Sequence, residues 1–129
     1  MTTATQLPVM IVGAGPTGLS AALFLARRGL PVRIIDEAIE PATTSKALLV
    51  NPRTLDILRD SGVAQRIVGA GHAVVGAVLH RAGRRVASID LRNALSAQLP
   101  TGLAQARTET LLAEALAQHG VQVKRGTRL

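Results

Sequence analysis

A chain of 129 residues, 47% of them hydrophobic and 18% charged, has the size and composition to bury one core; it is too short for two full domains and too apolar to stay disordered. The absence of cysteine excludes disulfides, thiolate metal centres and thiol catalysis, so any redox chemistry must be carried by a bound cofactor. The net charge of +7 raises the question of a polyanionic partner, but thirteen of the fifteen basic residues are arginines scattered along the chain, and Phe24, the single aromatic residue, cannot build a stacking platform for single-stranded bases.

The first element is the apolar run Val9-Met10-Ile11-Val12, bounded by Pro8 and Gly13. Its length and β-branched content predict a parallel strand buried on both faces. Leu19, Ala22, Leu23 and Ala26 then recur at helical spacing, with Gly29 placed as a C-terminal stop. Val32-Arg33-Ile34-Ile35 predicts a second strand ending on Asp36, and strand, helix and strand together fit the roughly 30 residues of a βαβ unit.

Residues 38–50 read as a polar loop around Pro41, Thr43, Thr44 and Ser45. Asn51-Pro52 has the form of an N-cap followed by the first helical position, and Leu55, Ile57 and Leu58 give that helix an apolar side, with Gly62 at its end. A short helix over Ala64 to Val68 is closed by Gly69-Ala70-Gly71. Ala73 to Leu79 and Arg85 to Leu91 predict an antiparallel hairpin turning at Ala82-Gly83. Thr108 is expected as the N-cap of a last helix running through Leu111, Leu112, Ala115 and Leu116 to Gly120, before a strand at Val121-Gln122-Val123. The fold class is therefore α/β: a Rossmann-like βαβ unit with a parallel sheet and a β-hairpin insertion, read as one domain over residues 1–129.

The segment between the first strand and the first helix carries the chemistry. Gly13-Ala14-Gly15-Pro16-Thr17-Gly18 is a Gly-x-Gly-x-x-Gly loop that follows a strand and opens a helix, the context that makes this otherwise weak pattern specific. Gly13 permits the tight turn, Gly15 lets backbone approach a pyrophosphate, and Gly18 allows the helix to pack closely on the strand. The helix N-terminus then offers amides and the positive end of its dipole to phosphates, while Pro16 costs no ladder hydrogen bond and Thr17 adds a hydroxyl. Asp36, about 20 residues past the loop, stands where a carboxylate accepts bonds from ribose hydroxyls and repels a 2′-phosphate. These residues predict dinucleotide binding.

Taken together, Gly-Ala-Gly-Pro-Thr-Gly-Leu, the Ile-Ile-Asp strand end, Ser45-Lys46-Ala47 leading into Pro52-Arg53-Thr54-Leu55-Asp56-Ile57-Leu58, and Gln105 ahead of Glu109-Thr110-Leu111-Leu112 resemble the N-terminal part of the single-component FAD-dependent aromatic hydroxylases, the flavoprotein monooxygenases of the para-hydroxybenzoate hydroxylase and phenol hydroxylase type. The resemblance spans nearly all of the chain. It implies that Gly13, Gly15, Thr17 and Gly18 line the FAD pyrophosphate, that Asp36 holds the adenosine ribose, and that Lys46 and Gln105 also reach the cofactor. Lys46 stands where the family normally has arginine, replacing a bidentate fork by a point charge. Glu37 departs from the basic residue often found after the ribose-binding acid.

The resemblance further implies an oxidoreductase that uses NADPH or NADH as co-substrate and inserts oxygen into a small aromatic or polyketide-like molecule. The flavin-contacting and substrate-binding parts of such enzymes are expected outside these residues, so the chain by itself is expected to be an inactive, incomplete FAD-binding portion with no catalytic residue, able to self-associate or pair with the missing remainder. Another FAD-dependent oxidoreductase and a non-catalytic dinucleotide-binding fragment remain alternatives. His72, His80 and His119 have no ligand-like spacing, so no metal is expected. The N-terminal residues lack the basic start of a secretory signal and no apolar run nears the roughly 20 residues of a membrane span, so a cytoplasmic location without nucleic-acid or membrane partners is expected.

Overall fold

The computed structural model describes residues 7–43, 47–93 and 98–129. It divides into two compact units, Met1–Lys46 with Gln105–Leu129, and Ala47–Ala104. Ser45 and Lys46 lie outside the described residues.

In the first unit, β1 (Val9–Val12) pairs in parallel with β2 (Val32–Ile35), Val9 opposite Val32 and Val12 opposite Ile35. Between them runs α1 (Pro16–Arg27), which buries Leu19, Ala22 and Leu23, as its 3.6-residue period requires. α4 (Gln105–Ala117) packs on α1. Past α4 the chain returns to β2 through a parallel bridge between Ile35 and Lys124.

β2 is therefore flanked on both edges, and Ile34 and Ile35 are buried. The burial expected of β1 falls to β2 instead: Val9, Met10 and Val12 are exposed, because among the described residues β1 has a hydrogen-bonded neighbour on one edge only. The strand expected at Val121–Val123 is reduced to the bridge at Lys124.

α4 also begins three residues earlier than its expected N-cap. Thr108 lies inside the helix and is buried, because it continues the stripe Leu111, Leu112, Ala115 and Leu116 at helical spacing. Its hydroxyl has no hydrogen-bond partner among the described residues.

In the second unit, β3 (Leu49–Val50), β7 (Thr101–Gly102) and β4 (His72–Ala73) form a small antiparallel sheet in the order β3-β7-β4. None of these two-residue pairings shows as a pattern in sequence. α2 (Pro52–Leu58) starts as expected, with Asn51 Oδ1 accepting from the Thr54 amide at 2.8 Å. A 3₁₀ turn at Arg59–Ser61 leads through Gly62 into α3 (Val63–Ala70). Leu55, Leu58, Val63, Ala64 and Ile67 supply the core here.

β5 (Gly76–Arg81) and β6 (Arg84–Asp90) form the expected hairpin, with a register shift between Leu79 and His80. Its turn carries Ala82 at φ +47° and Gly83 at φ +76°, the left-handed pair of a type I′ turn. Ala82 is the one non-glycine residue of positive φ among those described.

Candidate functional site

The glycine loop sits between β1 and α1, and its geometry follows from the sequence. Gly13 adopts φ +100°, which a side chain would strain. A Cβ on Gly18 would run into the carbonyl oxygen of Gly13 and lie 3.4 Å from the Ile11 side chain, so this glycine is what lets α1 approach β1. A Cβ on Gly15 would meet nothing within 4 Å: the space beside that backbone is open. α1 begins at Gly15 without a side-chain cap and with Pro16 in its first turn, so the amides of that turn have no intrahelical acceptor.

The loop is tied to the end of β2. The Gly13 amide donates to the Ile35 carbonyl at 2.8 Å, and the Ala14 amide donates to Asp36 Oδ2 at 2.6 Å. Asp36 Oδ1 accepts from the Ala38 amide at 2.8 Å. The Ala14 bond, then the Ala38 bond and the charge of Arg125, hold the Asp36 carboxyl below the usual carboxylate range against the opposing effect of burial. A carboxylate has about four acceptor positions. Among the described residues, the Ala14 and Ala38 amides use two of them.

Asp36 stands between two clefts. One, of about 300 Å³, is lined by Ala14, Gly15, Asp36, Ala38, Glu40, Ala42, Gln105, Glu109 and Arg125. The other, of about 230 Å³, is lined by Val12, Gly13, Asp36, Glu37, Thr127, Arg128 and Leu129. Of the residues singled out in the sequence, Gly15, Asp36 and Gln105 thus meet in one cleft, and Gly13 borders the other. Gly18 serves packing, and Thr17 is exposed on α1 and lines neither cleft. Gln105 Nε2 donates to Glu109 Oε1 at 2.8 Å, one helical turn on.

Sequence reasoning missed Arg125, Glu109 and Glu40. Lys124-Arg125 reads as a solvated doublet until the parallel bridge at Lys124 places Arg125 beside the strand end that carries Asp36. Glu37 forms an exposed ion pair, its carboxylate accepting from Arg128 Nε and Nη2 at 3.2 and 3.0 Å.

Open space at Gly15, uncapped amides at a helix N-terminus and an ionised carboxylate about 20 residues on are the donor and acceptor set that a dinucleotide's pyrophosphate and ribose require. No helix among the described residues is long and apolar enough to cross a membrane.

Comparisons with known proteins agree with this geometry. Residues 6–129 match the family described as FAD binding domain. The chain is 43% identical over 127 residues to 6-methylpretetramide 4-monooxygenase of Streptomyces rimosus, covering 94% of this chain and 22% of that protein. It is 34% identical to aklavinone 12-hydroxylase DnrF of Streptomyces peucetius subsp. caesius, covering 98% of this chain and 29% of that one.

Among solved structures, the flavin-dependent monooxygenase PieE in complex with FAD and substrate superimposes with a TM-score of 0.80 at 33% identity, over 95% of this chain and 24% of that one. A ternary complex of aklavinone-11 hydroxylase with FAD and aklavinone gives a TM-score of 0.80 at 31% identity, over 96% and 26%. The chain thus spans about a quarter of the length of the relatives it matches, and it belongs to the FAD binding domain family.

Proposed function

We propose that this chain holds the adenosine and pyrophosphate half of FAD as the N-terminal portion of an NAD(P)H-dependent monooxygenase that hydroxylates an aromatic or polyketide-like substrate. The observation that carries this reading is the bond from the Ala14 amide to Asp36, which fixes the phosphate loop and the ribose-binding acid as one unit at the mouth of a cleft. The names of the relatives supply the oxygenation chemistry and the class of substrate.

In this reading Gly13 and Gly18 shape the loop, Gly15 lets the pyrophosphate approach, and the α1 amides with the Thr17 hydroxyl donate hydrogen bonds that stabilise its charge. Asp36 accepts from the ribose hydroxyls, its charge secured by the Ala14 and Ala38 amides. Gln105, oriented by Glu109, and Lys46 add contacts along the cofactor. When bound, the flavin supplies electron transfer and dioxygen activation, and the protein supplies binding, orientation and electrostatics. None of the residues 1–129 is assigned a catalytic role, and the chain alone is expected to be inactive.

The test is retention of FAD through gel filtration, read by flavin absorbance. Wild type is expected to retain the cofactor, and Asp36→Ala to bind it about tenfold more weakly or worse, the loss of one or two charge-assisted hydrogen bonds. Equal retention by the two would overturn the assignment of Asp36, and no retention by wild type would remove FAD binding from this chain.

A further inference from the structure

The cleft beside Asp36 raises a question about the adenine ring. A flat base is usually held against an aromatic face, and this chain has a single aromatic residue, Phe24, whose ring lies 6.0 Å from the Arg27 guanidinium on α1. Phe24 does not line the cleft. The planar cation that does is Arg125.

Its position is rigid. The Lys124 amide donates to the Ile34 carbonyl at 2.9 Å and the Lys124 carbonyl accepts from the Asp36 amide at 3.0 Å. On the other side, Gly126 donates to Ala38 at 3.1 Å and Thr127 to Asp36 at 2.9 Å. Four backbone bonds therefore clamp the residues on either side of Arg125 to the segment that carries Asp36. The side chain itself is held loosely: Nη1 reaches the Glu40 carbonyl at 3.5 Å, and the residue is half-buried. A guanidinium fixed at its base, with one long hydrogen bond at its tip, can lie flat on a ligand.

The surrounding charge narrows the ligand. Asp36, Glu40 and Glu109 line the same cleft as Arg125. Three carboxylates oppose a second phosphate at this end, whereas a neutral, planar ring takes the guanidinium face without that penalty. Arg125 and Glu109 also line a second, more apolar cleft of about 340 Å³ bordered by Pro41, Ala113 and Val123.

We propose that Arg125 is the specificity-determining contact for the adenine of the dinucleotide, its guanidinium plane serving as the stacking face. The proposal rests on the FAD reading above and deepens it.

The test uses the full 129-residue chain with ADP and inorganic pyrophosphate as probes in calorimetric titrations, on wild type, Arg125→Lys and Arg125→Ala. Both variants are expected to bind ADP about 3- to 30-fold more weakly, because lysine keeps the charge and loses the plane, with pyrophosphate binding unchanged. Matched thermal melting of the three proteins shows that the difference is local. Arg125→Lys binding ADP as wild type does would assign the contact to charge and overturn the stacking role, as would a loss of pyrophosphate affinity equal to that of ADP. Wild type that binds neither probe removes the dinucleotide reading itself, a result distinct from the other two.

Discussion

The β1-α1-β2 unit and the β5–β6 hairpin are both made of short apolar runs, and they put them to opposite uses. In the first, Leu19, Leu23, Ile34 and Ile35 are at most 2% exposed. In the second, Val78, Leu79, Val86 and Ile89 are each 50% exposed or more, and the ladder of the hairpin itself is the main order. A helix crossing between parallel strands creates a second layer and so a core, while among the described residues no second layer covers the two-stranded ribbon. The site belongs to the layered region, where the backbone is held well enough to position amides.

That contrast can be broken by substitution. Leu23→Ala is expected to cost about 2–5 kcal/mol in chemical denaturation, the range for truncating a buried leucine. A loss below 1 kcal/mol would mean that α1 does not carry the core. Gly18→Ala should cost about 1–3 kcal/mol, because the added Cβ meets the Gly13 backbone, which cannot turn aside, and FAD retention should fall with it. If Gly18→Ala is as stable as wild type, α1 and β1 are not in close approach.

Asp36→Asn should cost about 1 kcal/mol, the difference between a charge-assisted and a neutral bond at the Ala14 amide. Its pH dependence has a definite sign. The carboxyl sits below its ordinary value of 3.8, so its contribution is complete above that value and is lost as pH falls through the lowered one. Asp36→Asn should remove that acid-side loss, and a wild-type and mutant pair with identical acid profiles would contradict the Ala14 bond.

In the hairpin the expected changes are smaller and one has the opposite sign. Ala82→Asn should stabilise by a few tenths to about 1 kcal/mol, because asparagine tolerates the left-handed conformation that Ala82 is held in. Val86→Thr should fall within about 0.5 kcal/mol of wild type, both changes being read by chemical denaturation. A large loss there would show that this face is covered.

The same contrast explains what could be read in advance. The glycine loop, Asp36, α1 and the Asn51 cap were legible because each is a local arrangement with its own spacing. The hairpin turn was legible for the same reason. β3, β4 and β7 were not, since two-residue strands carry no period. Thr108 was misplaced because threonine is both a good N-cap and a tolerable buried residue, and only the stripe it completes decides between them. Arg125 could not be found at all without the long-range bridge that brings it to Asp36. Gly15 and Gln105 line one cleft, a proximity across 90 residues that no local spacing shows, while Thr17 does not line it.

The clamp between the strand end after β2 and the segment after α4 has a consequence for how the protein acquires its site. The Ala14 to Asp36 bond joins residues 22 apart in sequence, but the contacts of Arg125 with Glu40 and of Arg128 with Glu37 join residues 85 and 91 apart. Closing a longer loop costs more chain entropy, and contacts distant in sequence form late. The glycine loop and Asp36 can therefore come together as a local event, whereas the bonds of Arg125 and Arg128 wait for residues 85 and 91 positions further along the chain. During synthesis the loop and Asp36 can meet before residues 124–128 have been added, and the bonds at that strand end can close only afterwards.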